Sequence, residues 1–470
     1  MKTNIFPIKL LFVFVLSLSF TACNDYLDIL PKGERIPTTL SDFEALLRDE
    51  YGTHRLDASN AINLLNDRYQ TIANLNYYPL TKANYMWDEN ANRIELNNSD
   101  ETMYYASYAS ISTCNLIIEH APTATESTDA ERNEVIAYAK VLRAINYFYL
   151  VNFYAETYQE NNAATKNAVP LITNANIGAS YQQLTVKGIY DFILNDMQEA
   201  LPFLKSESPT PLHPNLGTAY AFYARVYLQM SNYTKALEYA NLALAENGQL
   251  YDWTTYYSEN KTQIETPDSY TTTASPTGHY YIENYYFRHG ASSYSSTENP
   301  ISVERKAKFE DGDARAAARW KVRTVGTETY CVSTTRGFFN AGGITTTEVY
   351  LIKAECLARS GKYSEAMNEL NKVREKRILS EKYVPLTAST EEKAIEYIRR
   401  TKDNELILTI IPFADARRYN TETKYARTLS KVVDGQTISL SPASHMWTMP
   451  FPMGAIKNPG NGTIIQNVSK

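Results

Sequence analysis

Apolar positions in this chain recur mainly at helical spacing. Between Gly217 and Met230, the residues Tyr220, Tyr223, Ala224, Tyr227 and Leu228 fall at i, i+3, i+4, i+7 and i+8, the stripe of an amphipathic helix. A small residue, Ser231, interrupts the pattern, and a second amphipathic stretch starts at Tyr233. The same order returns without gaps 130 residues later, where Ala354 matches Ala224, Gly361 matches Ser231, Tyr363 matches Tyr233 and Ala366 matches Ala236. Both segments predict a helix–turn–helix unit with small residues where the helices cross, similar to a tetratricopeptide hairpin. A spacing of 130 residues, against about 34 in a tandem array, predicts hairpins embedded in a larger fold. A third periodic stretch, 130–154, carries Val135, Ala139, Leu142, Ile145, Tyr149 and Phe153. Residues 104–120, with Tyr108, Ile111, Asn115 and Ile118 at helical intervals, read as its partner.

Two stretches lack that period. Residues 73–100 are rich in Asn and Tyr, and 245–346 is a long Tyr/Ser/Thr/Gly segment. Long irregular segments on a rigid scaffold are the expected place for a binding site. The composition sharpens this, because 470 residues contain 37 Tyr against 16 Phe and 4 Trp. Tyrosine carries an apolar ring and a polar tip, so the excess suggests aromatic faces at a wet surface. Nine tyrosines lie between Tyr251 and Tyr294, together with Trp253, Arg288 and His289. Charge excludes more than it identifies: 46 Lys+Arg against 52 Asp+Glu, a net charge of −6, argue against a nucleic-acid partner.

The N-terminus predicts export. Lys2 and Lys9 bracket a basic start, an apolar run covers 10–20, and Thr21 and Ala22 precede Cys23. The run is too short to span a bilayer, and no later run approaches the ~20 residues that a spanning helix needs. Small residues before a cysteine resemble a bacterial lipoprotein signal, with Phe20 where Leu is usual. Residues 1–22 are therefore expected to be removed and Cys23 lipidated, which gives a membrane attachment by lipid alone. Cys114, Cys331 and Cys356 share no metal-ligand spacing and are read as buried thiols.

Several segments together resemble the SusD/RagB family of outer-membrane nutrient-binding lipoproteins. Cys23, Asn24, Asp25, Tyr26, Leu27 and Asp28 resemble its mature start; 351–374 resembles its helical pair; Asn404, Glu405 and Leu406 with Phe413, Asp415, Arg417, Arg418 and Tyr419 resemble its Arg-rich helix. Met449, Pro450, Pro452, Asn458, Pro459, Gln466 and Asn467 resemble its closing stretch, so the likeness runs over essentially all of 23–467. One departure stands out: Thr409, Ile410, Ile411, Pro412 and Phe413 replace a Glu-Gly-x-Arg-Trp pattern, which predicts a rearranged ion-pair network and a diverged branch.

The resemblance implies a mainly α, SusD-like fold built on tetratricopeptide-like hairpins, with long irregular loops and minor β. It divides 23–470, one domain, into an N-terminal part (23–215), hairpins at 216–250 and 347–376, a loop-rich ligand-side insertion (251–346) and a C-terminal part (330–470). It further implies a lipid-anchored, surface-exposed outer-membrane protein that captures glycan and passes it to a SusC-like TonB-dependent transporter. Members of the RagB type take peptides, so a peptide ligand is the alternative, and a tetratricopeptide-type assembly protein is a third. In the family, the repeat-like helices pack towards the transporter and are not expected to hold ligand.

Sugars expose C–H faces that lie on aromatic rings and hydroxyls that need amide, carboxylate or Arg partners. The first irregular segment offers both in Tyr77, Tyr78, Tyr85, Trp87, Asp88, Asn90, Asn92 and Arg93. The second offers Tyr281, Tyr285 and Tyr286, with Phe287 and Trp320 following. Expected ligand-binding residues are therefore Tyr78, Tyr85, Trp87, Asn90, Arg93, Tyr281, Tyr285, Tyr286 and Trp320.

No catalytic motif competes with this reading. The six histidines form no HExxH pair, Gly361 and Lys362 lack the phosphate-loop spacing, and no GxSxG elbow occurs. The chain is read as a binding protein without cofactor. Glu310, Asp311 and Asp313 around Gly312 are the one weak Ca²⁺ candidate, outweighed by a solvated turn.

Overall fold

A computed structural model describes residues 37–48, 54–97, 102–176, 178–266, 273–274, 276–290, 299–336, 340–433 and 435–468. Cys23 and the segment before it lie outside these residues. Nine helices of ten residues or more make up the scaffold among the described residues. In chain order they are α1 (Thr102–His120), α2 (Asp129–Tyr154), α3 (Val186–Ala200), α4 (Leu216–Gln229), α5 (Tyr233–Glu246), α6 (Thr346–Arg359), α7 (Tyr363–Glu375), α8 (Glu391–Glu405) and α9 (Ile411–Asn420). No described helix is long and apolar enough to cross a membrane.

The central element is α2. A capping box between Thr128 and Glu131 starts it, and from Val141 to Tyr154 every residue is buried. A helix that is buried all round must be packed on all sides. Helices α1 and α3 flank it, so the 104–120 stretch does pair with the 130–154 stretch. The two sequence-matched units form the helical hairpins α4–α5 and α6–α7. Although far apart in the chain, they are neighbours in space, because α5 packs directly against α6. Their turns are alike: Ser231 at φ 58° and Gly361 at φ 78° both adopt the left-handed conformation that reverses the chain. Glycine adopts it freely, whereas serine does so at a cost of roughly 1 kcal/mol.

Buried ion pairs fix how the hairpins meet. Arg225 on α4 holds Glu348 on α6 through Nε–Oε1 (2.7 Å) and Nη2–Oε2 (2.6 Å), and gives Nη1 to the hydroxyl of Tyr149 on α2 (3.0 Å). On α9, Arg418 forks onto Glu355 of α6 (2.7 and 2.9 Å), while Asp415 accepts from Lys402 of α8 (2.7 Å) and Gln229 of α4 (2.9 Å). This is the network formed beside the divergent Thr409–Phe413 segment. Such pairs specify one arrangement more than they add stability, since each desolvated charge is costly without its partner.

Strands are few and short. Three antiparallel ribbons are β1 (Asn167–Leu171) with β2 (Gln182–Thr185), β3 (Trp320–Val325) with β4 (Glu328–Ser333), and β5 (Leu429–Val433) with β6 (Gln436–Leu440). Asn284–Tyr286 also pairs antiparallel with Ile344–Thr345, and Thr273–Ala274 runs parallel to Thr335–Arg336.

The segment expected to be irregular from 245 to 346 is therefore corrected in detail. It contains the short helices Trp253–Glu259, Lys261–Glu265, Val303–Lys306 and Ala314–Arg319, and the β3–β4 hairpin turning at Gly326 (φ 61°). Elements this short carry too few residues to display a period.

The carboxylates around Gly312 are engaged with side-chain cations. Glu310 pairs with Arg374 and Arg400, Asp311 with Lys382, and Asp313 with Arg315, so each carboxylate is already matched by a side-chain cation. Among the described residues there is no group of three or more His, Cys, Asp or Glu side chains able to hold a metal. Cys114, Cys331 and Cys356 are buried free thiols; burial pushes Cys114 up to about 12, so it stays protonated.

Candidate functional site

The two tyrosine-rich regions separate sharply by exposure. Between Thr71 and Trp87 the chain folds into two short helices, Ile72–Tyr77 and Pro79–Met86, the first capped by Thr71 and the second started by Pro79. With so little helix to bury, this segment leaves Ile72, Tyr77 (75%) and Tyr78 (54%) open to solvent. The Tyr77 and Tyr78 rings meet edge to face, 4.6 Å between centroids and 74° between planes. Neither hydroxyl has a hydrogen-bond partner among the described residues, and both rings are exposed.

The hairpin β3–β4 docks beside this segment. Tyr330 on β4 stacks on Tyr69 at 4.8 Å and 15°, both rings half-buried. Glu328 binds the two pieces together: its Oε1 accepts from the Tyr69 hydroxyl (3.0 Å) and from the Ile72 backbone N–H (2.9 Å). Burial, then the bond to Glu328, raises Tyr69 above the usual phenol range. Tyr85, half-buried, lies under Lys431 of β5, whose Nζ sits 3.9 Å from the ring centroid. Burial pushes Lys431 down to about 8 and Tyr85 up. Exposed Asn74, Asn76, Asp88 and Asn90 add amide and carboxylate groups along the same segment. The result is an open aromatic surface edged with hydrogen-bonding side chains, suited to a flat ligand with an apolar face and a hydroxylated rim.

Of the expected site residues, Tyr78 and Asn90 are on this surface and Tyr85 lies partly beneath it. The others are corrected. Trp87 is only 7% exposed: its left-handed backbone (φ 53°) turns the indole inward, where Nε1 donates to the Leu64 carbonyl at 2.7 Å. Arg93 is fully buried and donates to Asn84 Oδ1 (3.3 Å) and to the carbonyls of His445 (3.3 Å), Met446 (3.2 Å) and Thr448 (3.1 Å).

The second cluster is likewise structural. Tyr281 accepts a hydrogen bond from Trp253 Nε1 (3.1 Å), and Tyr285 donates to the carbonyls of Ala243 (2.9 Å) and Asn247 (2.5 Å). Tyr286 is buried beside Tyr285 in the three-residue strand, and Trp320 is 1% exposed against Phe309, with Arg319 over its ring at 4.3 Å. Beneath them Arg377 joins Glu283 (2.8 Å) and Glu405 (3.1 Å), a buried network that the rings seal from water. Rings exposed by 9% or less present no open face to a ligand. Tyr280, at 80%, is the open ring of that cluster among the described residues.

Tyr69, Glu328 and Tyr330 were not expected in the site. The available signal was the alternation through Lys321–Val332 about Gly326, which marks a hairpin whose side chains project to both faces.

Two family models match the chain. One, described as "Starch-binding associating with outer membrane", covers residues 25–228; the other, described as "SusD family", covers 344–467. Among solved structures, a putative sugar binding protein from Bacteroides vulgatus is 18% identical with a TM-score of 0.67, covering 92% of this chain and 99% of that one. Surface glycan-binding protein A from Bacteroides uniformis is 16% identical with a TM-score of 0.65, covering 91% and 99%. A laminarin-binding SusD-like protein is 17% identical with a TM-score of 0.61, covering 92% and 99%. Among curated proteins nothing matches. At these identities the likeness to solved structures fixes the fold alone.

Proposed function

The chain belongs to the SusD/RagB family, and we propose that it binds oligosaccharide on the tyrosine surface formed by residues 69–85 and the β3–β4 hairpin. The observation that carries this reading is the solvent-open Tyr77–Tyr78 pair on a Thr71-capped helix, tied through Glu328 to the stacked Tyr69–Tyr330 pair. Rings fixed before binding lose little side-chain entropy when a sugar face settles on them. The glycan-binding and laminarin-binding relatives support the ligand class.

The wider reading is that of a single mature domain from Cys23, lipidated there, residing at the outer membrane and handing its ligand to a SusC-like TonB-dependent transporter. It assigns no reaction and no cofactor. The family model's printed association with the outer membrane supports the location.

Calorimetry of the soluble mature chain against a polysaccharide panel, with a peptide library alongside, tests the ligand class. Saturable binding to at least one glycan, weakened by Tyr77→Ala plus Tyr78→Ala, is the expected result. Binding to peptides and to no glycan would sink it.

A further inference from the structure

Two guanidinium groups without a carboxylate partner converge on the segment His445–Thr448. Arg93 donates to three of its carbonyls, as described above. Arg417, on α9, donates to the carbonyls of Asn152 and Ala155 near the end of α2, and through Nη2 to Thr448 Oγ1 at 3.3 Å. Neither arginine has an ion pair among the described residues. Five other buried arginines, Arg225, Arg305, Arg315, Arg377 and Arg418, each hold an Asp or Glu within 2.8 Å, whereas Arg288 bonds the His54 carbonyl and Asn146 and likewise has no ion pair among the described residues. Buried charges are ordinarily matched in that way, because an isolated one is costly. Burial pushes Arg93 and Arg417 down to about 10, which still leaves both cationic at neutral pH.

Arg417, 4% exposed, lines a cavity of about 570 Å³ whose wall includes Asn420, Thr421, Ser444, Thr448 and Asn467. The size is within the ~300–1,000 Å³ of small-molecule sites. Two buried donors of this wall are left without an acceptor: Arg417 Nε and Asn420 Nδ2. Each unsatisfied buried donor costs roughly 1–3 kcal/mol, a cost that an incoming acceptor would remove.

Two features oppose negative charge here, and both are weaker. Glu156 also lines the cavity, but it is half-exposed and paired with Lys166 at 2.9 Å. The C-terminal end of α9 carries about half a negative charge, and the Arg418 carbonyl there is already covered by the Thr421 backbone N–H (3.1 Å) and hydroxyl (2.7 Å). The whole positive charge of Arg417 in the wall outweighs this half charge, and Arg93, bonded to the same 445–448 segment from outside the cavity lining, adds to it.

We propose that this cavity is an oxyanion site, in which Arg417 Nε and Asn420 Nδ2 donate to a carboxylate or sulfate group and Ser444 and Thr448 lie within reach of neighbouring hydroxyls. The oxyanion has two possible carriers, an acidic sugar or a free inorganic anion. The first carrier rests on the glycan reading; the site itself does not, since it shares no residue with the tyrosine surface.

Isothermal titration of the mature chain in chloride buffer at pH 7, with sodium glucuronate, sodium sulfate and glucose as separate probes, tests this. Saturable binding of glucuronate or sulfate, with none for glucose, is expected. Glucuronate tighter than sulfate assigns the acidic sugar; sulfate equal or tighter assigns the free anion. Asn420→Asp, at the cavity edge, puts a negative charge beside the guanidinium and lowers anion affinity by at least about tenfold. Its melting curve without ligand checks that the fold is kept. Arg417→Lys keeps the charge but loses the fork and weakens binding in the same direction; should it fail to fold, Asn420→Asp decides. Tyr77→Ala plus Tyr78→Ala leaves anion binding unchanged, so failure of the glycan reading and failure of this one are told apart. Absence of saturable binding by both anions, or an unchanged affinity in Asn420→Asp, would overturn the proposal.

Discussion

Residues 69–87 and 251–286 are both dense in tyrosine, yet in the first Tyr77 and Tyr78 stand in water, whereas in the second Tyr281, Tyr285 and Tyr286 close over charge and Tyr280 alone of the described 280–286 rings stays open. In the second region the ring hydroxyls of Tyr281 and Tyr285 have partners inside the protein, and the rings cover the Arg377–Glu283–Glu405 network. In the first, Tyr77 ends and Tyr78 caps a helix of six residues, none of them buried. The lesson is that tyrosine content marks amphipathic surface without saying which side of it is used. What lies underneath decides: buried charge needs a lid, and an exposed helix end does not.

The comparison breaks most visibly at Trp253. Its replacement by Ala should destabilise the fold by about 3–5 kcal/mol through the cavity left against Tyr256 and Tyr281, measured by chemical denaturation. A change under about 1 kcal/mol would mean that the second region is not a sealed core.

Next in size is the first region. Tyr77→Ala plus Tyr78→Ala should leave stability within about 0.5 kcal/mol, as exposed sites do, while weakening glycan binding about a hundredfold if both rings are binding anchors. Equal loss of stability and binding would erase the distinction between the regions.

Lys431 offers a pH test of the first region. Its folded pKa of about 8 lies below the unfolded value, so the unfolded chain binds more protons between about pH 8 and 10.5 and stability rises through that window. Relative to Lys431→Met, the wild type should gain on the order of 1–2 kcal/mol from pH 8 to 10.5; parallel pH profiles would refute the burial of its ammonium group over Tyr85.

The smallest effect is Tyr285→Phe. Losing the one hydroxyl donor shared by the Ala243 and Asn247 carbonyls should cost about 1 kcal/mol, whereas Tyr77→Phe should cost nothing measurable by thermal unfolding.

The helical hairpins were legible because helical periodicity is local and reads within 14 residues. Even the turn positions Ser231 and Gly361 could be read from the small residues there. Ring burial was not legible, since partners such as Glu283 and Arg377 lie 94 positions apart and nothing in either neighbourhood announces the other. Trp87 illustrates the limit: its neighbours Tyr85, Asp88 and Asn90 suggest a wet loop, but one left-handed backbone angle directs the indole to Leu64. Tyr78 and Asn90 could be placed on the surface because the Asn-rich stretch 73–100 around them carries no sustained apolar stripe to bury. Tyr69 and Tyr330 met only through tertiary pairing and carried no joint signal.

The contact between α5 and α6 also sets an order of events in folding. Each hairpin closes through a turn of a few residues and can form quickly by itself. The seam between them must wait for the ends of a stretch of roughly 100 residues to meet, an entropic cost of about 4 kcal/mol by the logarithmic loop law. The Arg377–Glu283–Glu405 floor of the tyrosine-rich segment therefore closes only after the seam exists, whereas Tyr285 can reach the carbonyls at the end of α5 before it.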